Sequence, residues 1–266
     1  MAAVAPEPIV TSDWLTANRD AVVVVHVGTT MTGADPSATY LDGHAPGARY
    51  VSLDDDLAAA PAPVLGRHPL PTPEEFATVL GRIGVTLDDT VIAIDERGGA
   101  FASRLAWMLR IIGQSAAVLD GRWTGPTESG PVVVDPVERP AIPWPDHAIA
   151  DSDTVAATVA AGGIVIDSRD PARFRGEVEP IDAVAGHVPG AINLPFDDTD
   201  PTRFDALAAD EPAIVYCGSG VTACRNALAI EAAGLPLPRV YVGSWSGWST
   251  EPGRPLVTPT PAADSA

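Results

Sequence analysis

The sequence predicts an α/β protein made of two tandem, similar domains, each a mostly parallel sheet flanked by helices. Three observations carry that prediction. Short β-branched runs alternate with apolar helical patterns along the chain, and strands separated by helices imply parallel βαβ units. Gly43-His44-Ala45-Pro46-Gly47-Ala48 recurs as Gly186-His187-Val188-Pro189-Gly190-Ala191, an offset of 143 (186 − 43). Gly121-Arg122-Trp123 is matched by Gly243-Ser244-Trp245, an offset of 122 (243 − 121). The first copy therefore carries about 21 extra residues between these landmarks, placed within Leu57–Asp89. A repeat of this size means two domains rather than a solenoid.

The elements follow in order. In the first copy, Val22–Val27 is a continuous β-branched run and reads as a buried strand; Val91–Ile94 is a second. Phe101–Ile112 is an apolar helix ended by Gly113. In the second copy, Ile164–Asp167, Ala213–Tyr216 and Arg239–Val242 read as strands. Thr222–Ala233 reads as a helix, ended by Gly234 and then Pro236. The proline- and glycine-rich stretch from Thr124 to Asp146 reads as a linker. The expected division is 1–124, a linker over 125–146, and 147–266, with a loosely ordered tail after Pro252. His44 and His187 each precede a turn and are expected to hydrogen-bond nearby backbone.

Composition excludes several function classes. The chain has 266 residues and a net charge of −19. Its 16 basic residues are all arginine. Without a basic stripe, nucleic acid and anionic membranes are poor partners. Without lysine, Schiff-base chemistry and pyridoxal phosphate anchoring are excluded, and no cofactor is expected. No apolar run approaches the length of a membrane span, and the N-terminus lacks the pattern of a secretory signal. A cytoplasmic protein is expected. The two cysteines, Cys217 and Cys224, do not suggest a disulfide framework and fit a reducing compartment. No histidine pairs with a cysteine at ligand spacing, so no metal site is expected.

Cys217 is the leading candidate for chemistry. It ends the run Ile214-Val215-Tyr216 and opens Gly218-Ser219-Gly220-Val221-Thr222, where a helix begins. A strand–loop–helix unit of this kind turns loop N–H groups and a helix N-terminus toward the sulfur, and both stabilise an anion there. Gly218 and Gly220 permit the backbone angles such a cradle needs. Cys224 shares a helix face with Val221 and Leu228 and reads as core. A cysteine phosphatase would want an arginine six positions after the cysteine; position 223 is alanine.

These motifs resemble the two-domain rhodanese-type sulfurtransferases over nearly the whole chain. The repeated Gly-His-x-Pro-Gly-Ala, Asp167-Ser168-Arg169, Arg173-Phe174-Arg175-Gly176 and the late Gly-x-Trp carry the resemblance. Cys217-Gly218-Ser219-Gly220-Val221-Thr222 is similar to the active loop of the 3-mercaptopyruvate branch. Thiosulfate-preferring members have basic residues just after the cysteine.

The resemblance implies a persulfide on Cys217, formed from 3-mercaptopyruvate with release of pyruvate. A thiol such as thioredoxin, a small thiol, or cyanide then takes the sulfur. It implies a proton relay of Ser219, His68 and Asp54, with Asp55 and Asp56 as the alternative registers. It implies that Arg173 grips the donor carboxylate, with Gly218, Gly220, Val221 and Thr222 lining the anion cradle. Arg169, beside Asp167, reads as a structural ion pair. A second substrate arginine stands about nine residues after the first in many of the mercaptopyruvate enzymes; here that stretch is Val178-Glu179-Pro180-Ile181-Asp182. The first-domain counterpart of Cys217 is Asp95, which cannot carry sulfane sulfur, so that domain should be catalytically silent. Thiosulfate as donor and a non-enzymatic sulfur-carrier module are the alternatives. A monomer is expected.

Overall fold

The computed structural model describes residues 6–33, 35–200, 202–205, 207 and 212–258. The first half contains β1 (Ile9–Val10), α1 (Ser12–Ala17), β2 (Val23–Gly28), α2 (Ala38–Asp42), β3 (Arg49–Ser52), α3 (Leu53–Asp56), α4 (Pro73–Arg82), β4 (Val91–Ile94), α5 (Ala102–Ile111) and β5 (Ala116–Leu119). The second contains β6 (Ile149–Ala150), α6 (Ser152–Ala160), β7 (Val165–Asp167), α7 (Pro171–Phe174), β8 (Ile192–Asn193), β9 (Ile214–Tyr216), α8 (Thr222–Ala232), β10 (Arg239–Tyr241) and α9 (Ser244–Trp248).

Each half builds one five-stranded sheet, and every pairing in both is parallel. The orders are β1-β5-β4-β2-β3 and β6-β10-β9-β7-β8. The same path is traced twice, as the repeat requires. In each sheet the middle strand, β4 or β9, ends at the loop that carries Asp95 or Cys217.

Local chemistry explains the boundaries. β4 is a continuous apolar run and β2 one broken only by the buried His26, because parallel strands are covered on both faces. α4 starts at a full capping box between Thr72 and Glu75, with proline in its first turn. In Gly-His-x-Pro-Gly-Ala the second glycine has a left-handed backbone in both copies, φ +67° at Gly47 and +80° at Gly190. The histidines behave as expected. His44 contacts the carbonyls of Ala45 and Gly130, both at 2.9 Å, and His187 that of Phe174 at 2.7 Å. Each imidazole also stacks on a ring, Tyr40 or Phe174.

α5 is buried on almost every face. One side covers its own sheet and the other packs on α8 of the second half. One apolar cluster therefore runs from Leu105, Met108 and Leu109 into Val221, Cys224 and Leu228.

One expectation changes, that of a loosely ordered tail after Pro252. Residues 125–146 have little regular structure and are strapped to the first half. Glu128 and His44 exchange backbone hydrogen bonds of 2.9 Å, the Val137 N–H donates to Gly81, and Trp144 donates to the Pro71 carbonyl. The tail is also held as far as Val257, which pairs with His187 through bonds of 3.0 and 3.1 Å. Arg254 there meets Asp153 at 2.6 Å and Glu251 at 2.8 Å. Residues 259–266 lie outside the described part.

Candidate active site at the domain boundary

Cys217 lies one residue past β9 and is 2 % exposed. Its N–H donates to Ser244 Oγ at 3.1 Å. The carbonyls of Cys217 and Gly218 accept from the N–H groups of Trp245 and Ser246, both at 3.0 Å. The start of α9 thus holds the loop by its carbonyls. The N–H groups of residues 218–222 meet no oxygen acceptor among the described residues. Gly220 has φ +78°, and a Cβ there would lie 2.4 Å from the Val242 carbonyl oxygen. Only glycine fits, because backbone cannot yield as a flexible side chain would.

Cys224 is a fully buried free thiol, as the helix-face pattern predicts. Burial pushes it up to about 12.

The first half closes over this loop. The segment between α3 and α4 packs Gly66 against Gly243 so closely that a Cβ would sit 2.4 Å from the Gly243 carbonyl oxygen. The next two residues are Arg67 and His68. Arg67 N–H donates to Ser246 Oγ at 3.1 Å.

His68 Nε2 lies 3.4 Å from Asp54 Oδ1, a long hydrogen bond. Its Nδ1 is buried without a hydrogen-bond partner among the described residues. Burial lowers the imidazole below its ordinary value, against the opposing pull of Asp54. His68 is therefore neutral at neutral pH. Burial alone would raise the Asp54 carboxyl, but hydrogen bonds from Thr30, His68 and Thr29 hold it below its usual value. Of the three adjacent aspartates, Asp54 is the one that meets His68. Asp55 accepts from Ser52 Oγ, and Asp56 accepts from the Ser52 N–H and from Arg82. Ser219 is 3 % exposed in the same loop as Cys217; no hydrogen bond joins it to His68 among the described residues.

Arg173 and Arg169 belong to a chain of alternating charges. Arg169 bonds Asp167 at 2.6 Å and stacks over Trp245, which is the expected structural pair. Glu179 bridges Arg169 at 3.3 Å and Arg173 at 2.8 Å. Asp182 bridges Arg173 at 3.3 Å and Arg67 of the first half. Burial raises the Asp182 carboxyl despite both arginines. The Val178–Asp182 stretch that lacks an arginine thus supplies counter-ions instead. The two guanidiniums converge on the active loop: a Cβ on Gly218 would lie 3.0 Å from Arg67 Nη2 and 3.3 Å from Arg173 Nη1. Gly218 leaves room for both.

Sequence reasoning missed Arg67 and Arg104. Arg104, on α5, is fully buried and donates to the carbonyls of Gly220 and His68, both at 3.0 Å. It ties the active loop to the His68 loop. Burial lowers its guanidinium, opposed by the thiols of Cys224 and Cys217 nearby. One signal for Arg104 was present: a charge in the middle of the apolar run Phe101–Leu109.

Comparison with known proteins identifies relatives of the whole chain. A rhodanese-like domain model matches residues 151–251. Two bacterial relatives carry provisional names. One is a 3-mercaptopyruvate sulfurtransferase of Pseudomonas aeruginosa, 41% identical over 84% of this chain and 88% of its own. The other is a thiosulfate sulfurtransferase of Mycobacterium tuberculosis, 36% identical over 89% of this chain and 91% of its own. The solved structure of SseA from Escherichia coli, described as a 3-mercaptopyruvate sulfotransferase, superposes with a TM-score of 0.75 at 29% identity, covering 90% of this chain and 99% of that one. No helix among the described residues is long and apolar enough to cross a membrane. With its twofold sheet plan, its cysteine loop and these relatives, the chain belongs to the rhodanese family of sulfurtransferases.

Proposed function

We propose that this protein moves sulfane sulfur from 3-mercaptopyruvate, through a persulfide on Cys217, to a thiol acceptor or cyanide. The division of labour is a catalytically silent unit over 1–124, a linker over 125–146 and a catalytic unit over 147–266. Cys217 Sγ, as thiolate, attacks the donor sulfur. The new S–S bond forms as the donor C–S bond breaks, with its electron pair passing to carbon. The resulting pyruvate enolate needs a proton, and the donor's own S–H proton balances it. In this reading Ser219 relays that proton, with neutral His68 and ionised Asp54 behind it. The N–H groups of residues 218–222 stabilise the sulfur anion before and after transfer. In the second half-reaction an acceptor thiolate or cyanide takes the outer sulfur and restores Cys217.

The observation that favours this donor is the part-buried His68–Asp54 pair, whose His68 backbone is tied to the Cys217 loop through Arg104. Enolate release needs a proton relay; sulfite release from thiosulfate does not. Thioredoxin, a small thiol or cyanide fits the second half-reaction, and the reading takes the protein as a cytoplasmic monomer.

The test is a comparison of kcat/KM for the two donors on purified protein. The larger value is expected with 3-mercaptopyruvate; a larger value with thiosulfate overturns the donor. Mass spectrometry after donor exposure should add about 32 Da, one sulfur atom, at Cys217. No adduct there would overturn the covalent mechanism.

A further inference from the structure

We propose that the first half keeps a ligand site of its own, in a cavity at the ends of β2 and β4, and that this site takes a free α-amino acid. It is separate from the Cys217 chemistry and does not rest on it.

The place follows from the topology. In the first sheet the chain runs from β2 out to β3 on one side and returns to β4 on the other. The crevice past the carboxyl ends of two such strands is where open parallel sheets bind ligands. In the second sheet the same crevice lies between β7 and β9, and Cys217 stands there. In the first half the crevice has not closed. Asp95 fills the anion cradle, but a cavity of about 480 Å³ remains beside it, a volume within the range of small-molecule sites. β2 lines it with His26 and Val27, the start of α5 with Phe101, and the loop past β4 with Glu96 and Arg97.

His26 is the group that points to a ligand. It is 3 % exposed and lines the cavity, yet its ring nitrogens make no hydrogen bond among the described residues. Its ring meets Tyr40 edge-on at 5.6 Å, a contact that satisfies neither nitrogen. A buried polar ring without a partner forfeits the hydrogen bonds it had in water, and a ligand in the cavity would restore them. Burial pushes the imidazole down to about 4, against the pull of Asp95. At neutral pH the ring is therefore neutral, with one N–H to give and one nitrogen to accept.

The charges select the ligand. Asp95 is buried and keeps its negative charge, but four N–H groups occupy its two oxygens and leave no acceptor site. Asp35, also on the wall, is partly spent: its Oδ1 takes the N–H and the hydroxyl of Ser37 at 2.9 and 2.8 Å. Arg97 is exposed, and its guanidinium has no acceptor among the described residues. Arg122 beside it reaches Glu96 only at 3.6 Å. Negative charge thus lies inside and positive charge outside. A simple anion would be repelled within, and a simple cation at the mouth. An α-amino acid offers each its opposite. Its ammonium donates to the His26 imidazole in the field of Asp95, and its carboxylate takes the Arg97 fork. Val27 and Phe101 are left for a hydrocarbon side chain. A residue within a peptide, with both groups blocked, does not fit.

L-Phenylalanine is the probe, titrated into the full-length protein by calorimetry. 3-Phenylpropionate lacks its ammonium, and 2-phenylethylamine lacks its carboxylate. L-Phenylalanine should bind with a Kd below about 1 mM, and each analogue at least about tenfold more weakly, the worth of one hydrogen bond to a charged group. The protein has five histidines. With their rings labelled with ¹⁵N, the signal missing from His26→Gln should be the one that shifts on binding. Arg97→Gln changes an exposed residue and so spares the fold; it should weaken binding by about tenfold or more. No binding at about 10 mM L-phenylalanine would overturn the site. Equal binding of either analogue would overturn the amino acid as its ligand. Binding that leaves His26 unshifted, or that Arg97→Gln does not weaken, would place the ligand elsewhere and overturn the cavity.

Discussion

Asp95 and Cys217 occupy the same place in the two halves, one residue past the middle strand of each sheet, β4 and β9. Around Asp95 the loop is closed. Oδ1 accepts from the N–H groups of Arg97 and Gly99 at 2.7 and 2.8 Å, and Oδ2 from those of Phe101 and Ala102, both at 2.7 Å. Around Cys217 the N–H groups of residues 218–222 have no oxygen acceptor among the described residues. The same strand–loop–helix unit is an anion cradle in both halves. In the first, the anion is built into the chain and held for good. In the second, the residue at the centre is the cysteine on which the proposed reaction turns. The scaffold supplies the cradle, and one side chain decides whether it does structural or chemical service.

The comparison can be broken directly by making the second loop a copy of the first. Cys217→Asp should abolish sulfur transfer, a loss of at least about 10⁴-fold for a missing nucleophile. The new carboxylate should find the free N–H groups, so the midpoint of thermal unfolding should not fall. Residual turnover, or a collapse in stability, would show that the two cradles differ in more than their central residue.

The converse change empties the closed cradle. Asp95→Ala leaves four N–H groups without their acceptor, two of them buried, and should cost about 3 kcal/mol of stability in denaturant unfolding. Turnover per folded molecule should stay within about twofold, because Asp95 touches no reacting atom. A specific loss of kcat in folded protein would mean that the first half is not catalytically silent.

A third change sharpens what the open loop adds. Ser219→Ala should slow 3-mercaptopyruvate turnover by roughly 10²-fold, the usual scale of general acid–base catalysis. An unaffected steady-state rate would remove Ser219 from the relay.

The smallest expected effect is in pH dependence. Burial disfavours the imidazolium form of His68, so the neutral ring persists below the ordinary histidine value of about 6.5. Asp54, held below its own usual value, stays ionised across that range. As pH falls from neutrality, the acidic limb of kcat should therefore appear below about pH 6.5. A limb at or above that value, lost in His68→Gln, would place His68 in a wetter setting than the structure gives it.

The central strands of each sheet were legible in the sequence; the edge strands, and the interior strand β5, were not. β2, β4, β7, β9 and β10 announce themselves as β-branched or apolar runs. β6 and β8 are two residues long, β3 is an edge strand carrying Arg49 and Ser52, and β5 opens with two alanines. None of these has a pattern that separates strand from loop. At the site, Cys217, Gly218 and Ser219 could be singled out from their immediate neighbours. His68 and Asp54 came only through the resemblance, and the structure brings that pair together. Arg67 and Arg104 were out of reach because their contacts are remote in sequence. Arg67 meets a carboxylate 115 positions away, and Arg104 a carbonyl 116 positions away. Nothing local marks such a partner.

The apolar cluster shared by α5 and α8 gives the repeat a thermodynamic history. Two copies of a fold can begin as neighbours that melt separately. Here the helix of one half is buried by the helix of the other, so unfolding either half would strip apolar cover from its twin. The pair has become one cooperative unit. Neither half could be deleted without uncovering the helix that the other half buries.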